Sequence, residues 1–299
     1  MTGYADHQRA TGTGRTLALV TLTDDQQAVA DHLQWCRERD LRPSTISSRV
    51  GELRRLAEFT GSPVTHLDAD QLSAWWADLT DRVTANTRAV CLAHIREFYR
   101  WAVRVGVRPD DPSVHLSRPR RRRRLPRPAP DHVLAEVFDK APDRIRWAVT
   151  LAAYAGLRAG EIAALHRRDF EDRDGLIVIF VADGKGGHQR IIPAHPIILE
   201  LLDELPGQGW LFPRRDRRPG HVSAKLVSTI CSQWFRARDL DVTLHRFRHW
   251  FGTSIYAASL DLRVTQELMG HSSPVTTAGY AAHNPTNAIA AVAALPTSG

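Results

Sequence analysis

The chain has 299 residues, a formal net charge of +7 at pH 7 and a pI near 9.8, which allows a large core and two domains and favours a polyanionic partner. Its three cysteines are far apart and fit neither a disulfide framework nor a zinc spacing, so a reducing compartment is expected. The sequence shows no signal peptide and no long apolar run, which argues against secretion and membrane insertion.

The first part of the chain is predicted to be a helical bundle. Residues 1–18 are small and polar, and we expect a disordered lead-in. Residues 19–117 carry apolar side chains at helical spacing and several start and stop signals. Four helices are predicted, with the starts Thr23, Pro43, Asp68 and Thr84.

Charge alone does not make this bundle a nucleic-acid-binding unit. Residues 1–117 contain 14 basic and 15 acidic residues, a net charge of −1. The tryptophans lie on the apolar helical pattern and are predicted to be core residues in preference to base-stacking ones. These are Trp35, Trp75, Trp76 and Trp101.

Residues 118–129 are predicted to be an extended linker between two domains. Seven arginines and three prolines make this segment unable to pack or to form a helix. It could serve simply as a solvated hinge, or its guanidiniums could lie along phosphates, and the charge density favours the second interpretation. The candidate phosphate-binding residues are Arg120, Arg121, Arg122, Arg123 and Arg124.

Residues 130–299 are predicted to form a second, mostly helical domain. A helix is expected after Pro130, followed by an apolar helix from Arg144 to Leu157. Two strands, Leu176–Val181 and His188–Pro193, flank a glycine-rich turn. Further helices are predicted at 196–205, 222–238, 245–258 and 262–269, with a short apolar helix at 288–295.

Several polar residues in this half form a pattern that indicates phosphate chemistry. Glu161 follows Arg158 by three residues, so that a salt bridge can hold the guanidinium. His245 and Arg248 are also three apart and share one helix face. Lys185 is one of three lysines among 40 Lys and Arg, and it lies between glycines. His271 follows Gly270, and Tyr280 comes nine residues later.

This order of residues resembles the tyrosine recombinase (phage integrase) family. The carrying motifs are Gly156-Leu157-Arg158 with Glu161-Ile162, the lysine in Gly184-Lys185-Gly186, the HxxR segment from His245, the Gly270-His271 turn and Tyr280. The resemblance is close over roughly the last 170 residues. It implies a helical core-binding (SAM-like) DNA-binding domain at 19–117 and an α+β catalytic domain with a small antiparallel sheet at 130–299.

The resemblance also implies a role for each matching residue. Tyr280 would be the nucleophile and His245 its base or proton relay. Arg158 and Arg248 would hold the non-bridging phosphate oxygens, with Glu161 orienting them. His271 would donate a hydrogen bond to the phosphate, and Lys185 would protonate the departing 5′-hydroxyl. The product would be a 3′-phosphotyrosine, which can be religated without ATP, metal or another cofactor.

Other functions remain open at this point. His245 and His249 have the spacing of two zinc ligands on a helix, but Arg246 stands where the HExxH motif needs glutamate and no third ligand is evident, so a zinc site is disfavoured. A type IB topoisomerase would share the chemistry, and a catalytically silent DNA-binding protein would share the fold. Among recombinases, we favour phage or mobile-element integration over an Xer-like resolvase of chromosome or plasmid dimers.

The expected partner is double-stranded DNA carrying attachment or core sites. The resemblance implies a homo-tetramer on DNA, assembled through the C-terminal helix, although that helix could instead cover its own domain. Directionality or host accessory factors are possible partners. No membrane association is expected, and the expected location is the bacterial cytoplasm at the nucleoid.

Overall fold

The computed structural model describes residues 24–120, 125–182, 189–216 and 218–270, together with residue 277. The described residues form two compact units, one ending at residue 120 and the other beginning at residue 125. The first unit is helical, and the second combines helices with a small antiparallel sheet, which confirms the predicted fold class. The predicted lead-in at 1–18 and the predicted tail helix at 288–295 lie outside the described residues.

The described residues of the first unit form four helices, and each begins where a local signal predicts it. Asp68 accepts a hydrogen bond from the backbone N of Gln71 at 2.8 Å, and the Gln71 side chain accepts one from Asp68 N at 3.1 Å. Gly61 ends the second helix in a left-handed conformation with φ of +65°. The helices are α1 (Asp24–Glu38), α2 (Pro43–Thr60), α3 (Ala69–Arg82) and α4 (Ala85–Arg104).

The core of this unit confirms the prediction for the tryptophans. Trp75 and Trp101 are buried, while Trp35 and Trp76 are half-buried and pack against the same core. The guanidinium of Arg39 lies 4.7 Å from the centre of the Trp35 ring. These rings therefore serve packing and cation–π contacts within the unit.

Among its described residues, the second unit contains seven α-helices, one short 3₁₀ helix (Arg167–Asp169) and three strands. None of the helices in the described part of the chain is long and apolar enough to cross a membrane. Most predicted bounds agree to within two residues, although the sequence interpretation missed α7 and β1. The elements are α5 (Asp131–Lys140), α6 (Asp143–Tyr154), α7 (Ala159–Ala163), β1 (Phe170–Arg173), β2 (Leu176–Val181), β3 (Arg190–Pro193), α8 (Pro196–Glu204), α9 (Ala224–Arg236), α10 (Leu244–Ser259) and α11 (Leu262–Met269).

Helix α6 lies at the centre of this unit and packs against α10. From Ala148 to Ala153 every residue of α6 is buried, so the helix has almost no solvent face in its second half. It ends at Tyr154, three residues earlier than predicted, because Gly156 adopts a left-handed conformation with φ of +60°. The chain therefore turns just before Arg158, and a new helix, α7, begins there.

The sheet has the order β1-β2-β3 and is antiparallel throughout. Asp174 and Gly175 join β1 to β2 with φ of +56° and +84°, as a tight two-residue turn requires. Strand β3 pairs with β2 so that Arg190 faces Val181. On β3, Arg190 and Ile192 are buried and Ile191 and Pro193 are exposed, so Arg190 points to the core side.

Candidate active site

Two short segments bring the predicted arginines together. Arg158 precedes α7 directly after the turn at Gly156, and Arg248 lies one turn into α10. Because α10 packs against α6, the end of α6 and the start of α10 are neighbours. Both arginines therefore approach Glu161, which lies in the first turn of α7.

The carboxylate of Glu161 is the centre of this arrangement. Its Oε1 accepts from Arg158 Nη1 at 2.8 Å, which is the salt bridge expected from the spacing. Its Oε2 accepts from the backbone N of Arg158 at 2.8 Å and lies 3.8 Å from Arg248 Nη1. A third arginine, Arg190, donates to both oxygens, at 3.0 Å and 2.8 Å. One buried anion thus orders three cations.

The surroundings keep Glu161 ionised. Burial alone would raise the pKa of its carboxyl, but the hydrogen bonds and charge of Arg190, together with the backbone N–H and charge of Arg158, lower that pKa to about 2. The carboxyl therefore stays negative at neutral pH and holds the guanidiniums by charge-assisted hydrogen bonds.

Main-chain carbonyls hold Arg248. Its side chain is 1% exposed, Nη1 donates to the carbonyl oxygen of Gly156, and Nη2 donates to that of Met269. Arg158 Nη2 donates to the next carbonyl, that of Gly270, at 3.0 Å. The ends of α6 and α11 thus fix the two guanidiniums with respect to each other.

The turns that follow α6 and α11 both require glycine. Gly156 and Gly270 have φ of +60°, a conformation that L-residues with side chains rarely adopt. A Cβ on Gly156 would lie 2.4 Å from Cδ1 of Phe251, and a Cβ on Gly270 would lie 2.8 Å from Nη1 of Arg190. The backbone conformation and the close packing therefore both depend on the missing side chain.

His245 lies on the face of α10 that the sequence predicts, and it lines a cavity of about 360 Å³ together with Arg158. Loss of solvent around its ring, followed by the charges of Arg248 and Arg158, lowers the pKa of His245. Its ring centre is 4.5 Å from that of His249. Burial and the neighbouring positive charges lower the pKa of His249 to about 4. Both imidazoles are therefore neutral at pH 7.

Not every predicted site residue falls in the described part of the chain. Arg158, Glu161 and Arg248 are in contact, and His245 shares a cavity with Arg158. Arg120 is exposed at the end of the first unit. The remaining predicted residues lie outside the described residues: Lys185, His271, Tyr280, Arg121, Arg122, Arg123 and Arg124.

The sequence interpretation missed Arg190. The side chain is 6% exposed, and Nε also donates to the carbonyl of Leu268 at 3.0 Å. The available signal was the alternation of β3, which places an arginine on the same inward face as Ile192. A buried arginine needs a paired anion, and that requirement points to an ion pair.

No group of three or more His, Cys, Asp or Glu residues that could hold a metal ion occurs within residues 24–120, 125–182, 189–216, 218–270 and 277. The His245–His249 pair packs ring against ring. The guanidiniums around Glu161 bring positive charge to the site.

Comparison with known proteins gives a consistent result. A family model described as the phage integrase family matches residues 132–287, and one for the phage integrase N-terminal SAM-like domain matches residues 31–106. The tyrosine recombinase XerC of Rhodospirillum centenum is 31% identical over 300 residues, covering 90% of this chain and 86% of that protein. The tyrosine recombinase XerD of Caulobacter vibrioides is 30% identical over 269 residues, covering 81% and 87%.

Solved structures show the same fold. A lambda integrase dimer bound to a COC′ core site superposes with a TM-score of 0.69 at 18% identity, covering 85% of this chain and 76% of that one. The XerH site-specific recombinase bound to a difH substrate in a pre-cleavage complex superposes with a TM-score of 0.62 at 18% identity, covering 87% and 81%.

Proposed function

Since the chain belongs to the phage integrase family and is a site-specific tyrosine recombinase, we propose that it cleaves and rejoins duplex DNA through a 3′-phosphotyrosine at Tyr280. The observation that carries this proposal is the cluster of guanidiniums around Glu161. Its three arginines and one carboxylate leave two positive charges next to the cavity lined by Arg158 and His245.

The chemistry of phosphodiester cleavage explains why such a cluster is useful. As the phenol oxygen attacks phosphorus, negative charge grows on the non-bridging oxygens. Guanidiniums that are already fixed can stabilise this charge without reorganising at the moment of reaction. Arg158 keeps a quarter of its side chain exposed and is assigned the direct contact with the non-bridging oxygens. Arg248, which is expected from the resemblance to share that contact, is 1% exposed in this structure, so we assign to it a contribution of positive charge from beneath Arg158.

The proton transfers complete the proposed reaction. His245 accepts the phenolic proton of Tyr280, for which its lowered pKa is suitable because a neutral imidazole has a nitrogen able to accept. The bond from phosphorus to the 5′-oxygen breaks, and Lys185 gives that oxygen a proton. His271 donates a hydrogen bond to the phosphate. The roles of Tyr280, Lys185 and His271 rest on the family's motif at matching positions.

The proposed partner is double-stranded DNA. Solved relatives carry core-site DNA or a Holliday junction, and one is described as a tetramer on that junction. We assign DNA contacts to the helical domain at 19–117 and to the linker at 118–129, with Arg120 to Arg124 on phosphates. Tetramer formation through the helix at 288–295, help from accessory factors, and a cytoplasmic, nucleoid-associated location complete the proposal.

The experiment is covalent capture. Sheared genomic DNA from the source organism is nicked at random, so that a short strand released by cleavage next to a nick diffuses away and cannot be religated. It is incubated with tagged protein, the mixture is denatured, and DNA that remains attached to the protein is sequenced. Wild type is expected to retain one recurrent sequence, and Tyr280→Phe is expected to retain none. Equal adducts from Tyr280→Phe would rule out this nucleophile, and no adduct from wild type would rule out the proposed function.

The biological role has two candidates. Integration or excision of a phage or mobile element is our first proposal. An Xer-like resolvase is favoured by the curated relatives named XerC and XerD, which match over most of both chains. Plasmids carrying the captured sequence separate the two roles. Recombination between two directly repeated identical copies supports a resolvase, and a requirement for a second, different sequence supports an integrase.

A further inference from the structure

We propose that Arg190 is a positioning residue of the recombination reaction, which binds Glu161 so that this carboxylate orients Arg158 and Arg248 without cancelling the charge they present to the phosphate. This inference rests on the proposed function. It concerns a residue outside the motif that carries the resemblance, because Arg190 lies on β3.

All three side-chain nitrogens of Arg190 donate hydrogen bonds, so its guanidinium is held in one orientation. Its Nη1 and Nη2 donate to the two oxygens of Glu161 in the bidentate geometry that suits a guanidinium and a carboxylate. Its Nε donates to the carbonyl of Leu268, near the end of α11. Arg190 therefore joins the hairpin strand β3 to α7 and α11, and Gly270 leaves the space that its guanidinium fills.

The balance of charge distinguishes Arg190 from the other two arginines. The three guanidiniums and Glu161 together carry two positive charges. Without Arg190, the whole charge of the carboxylate would fall on Arg158 and Arg248, and the group would carry one. A phosphodiester carries one negative charge in the ground state, and its negative charge spreads over more oxygens as the reaction proceeds. Removal of Arg190 should therefore slow cleavage more than it weakens DNA binding.

A purely structural role makes a different prediction. A buried ion pair that loses one partner leaves an uncompensated charge, which destabilises the fold. Such damage would affect DNA binding and cleavage together. This damage would not depend on the net charge of the cluster. Removing the charge of Glu161 as well would then restore stability but not the rate of the chemical step.

The test uses Arg190→Met, Arg190→Lys and the double variant Glu161→Gln with Arg190→Met in the full chain, on a nicked duplex with the captured sequence. Single-turnover adduct formation at saturating DNA gives the cleavage rate, anisotropy gives DNA affinity, and circular dichroism gives folding. Arg146→Met is the control, because Arg146 also bridges carboxylates, those of Asp143 and Glu204, but lies about 12 Å along α6 from the helix end next to the site.

Arg190→Met is expected to slow cleavage about 100-fold, the upper end of the cost of losing a residue that orients a catalytic group, with DNA affinity changed by less than about 3-fold. The double variant again carries two positive charges and should recover about 10-fold of that loss. Arg190→Lys keeps the charge but loses the bidentate contact with Glu161, so it should cleave more slowly than wild type but stay within about 10-fold of it. Arg146→Met should cleave at the wild-type rate.

Four results would overturn the inference. The first is that Arg190→Met cleaves at the wild-type rate, and the second is that it loses DNA affinity and cleavage rate by the same factor. The third is that the folded double variant cleaves no faster than Arg190→Met, and the fourth is that Arg190→Lys cleaves as slowly as Arg190→Met. If Arg190→Met does not fold, Arg190→Lys decides alone: a folded Arg190→Lys variant that cleaves more than about 10-fold slower than wild type overturns the inference. Absence of any adduct from wild type would refute the proposed function, and that result is distinct from all four.

Discussion

Replacement of Gly156 by alanine should destabilise the second unit by more than its backbone conformation accounts for. A residue with a Cβ at φ of +60° costs roughly 1–2 kcal/mol. In addition, the Cβ would lie 2.4 Å from Cδ1 of the Phe251 ring, which must shift within a packed core at a cost of roughly 1–3 kcal/mol. The expected total is about 2–5 kcal/mol.

Gly175→Ala is the matched control. Gly175 also has a positive φ, of +84°, and belongs to the same unit, but no heavy atom lies within 4 Å of a Cβ built there. Its substitution should cost only the conformational part, about 1–2 kcal/mol. Urea unfolding of the full chain, followed by circular dichroism, compares the two variants on the same transition.

A double-mutant cycle with Phe251→Ala tests the cause. If the ring and the new methyl group collide, the double variant should be more stable than the sum of the single effects by roughly 1–3 kcal/mol. Equal costs for Gly156→Ala and Gly175→Ala, or additive effects in the cycle, would refute the reasoning.

The remaining predictions concern chemistry, pH and salt. Lys185→Ala should slow cleavage while leaving DNA binding intact, and a 5′-thiol leaving group should restore the rate, since a thiolate leaves without a proton; an unrescued rate excludes Lys185 as the acid. The pKa of Glu161 is lowered from 4.5 in the free side chain to about 2 in the fold. The ionised carboxylate therefore stabilises the fold above pH 4.5, and this stabilisation is lost as the pH falls from 4.5 towards 2. Urea unfolding across that window should show a loss on the order of 3 kcal/mol that Glu161→Gln lacks, and equal pH profiles would contradict it. Replacing Arg120 to Arg124 by glutamine should lower the salt slope of DNA binding by about 0.9 for each lost phosphate contact, and an unchanged slope would leave the linker a simple hinge.

Local chemistry made most of the fold predictable from sequence. The starts of α3 and α4 follow from the capping side chains of Asp68 and Thr84, and the end of α2 follows from Gly61. The bridge between Arg158 and Glu161 also depends only on a spacing of three residues. In each case the interacting groups are close in sequence, so the pattern contains the information.

The missed features depend on partners far away in the chain, or on a signal that was present and not used. The bond from Arg190 to Glu161 spans 29 residues, and its identity depends on how β3 and α7 pack. The position of Arg248 depends on carbonyls of Gly156 and Met269, which no side-chain pattern announces. Strand β1 was predictable, because Asp174-Gly175 is a typical hairpin turn directly before β2.

The acceptors of Arg248 have a consequence for how this site can change. Both are peptide carbonyls, which every amino acid carries, so no point mutation can delete them. Mutations can only redirect the backbone that presents them. Inherited variation that affects these two hydrogen bonds should therefore concentrate at the two left-handed glycines, Gly156 and Gly270, whose side-chain-free backbone determines where those oxygens point.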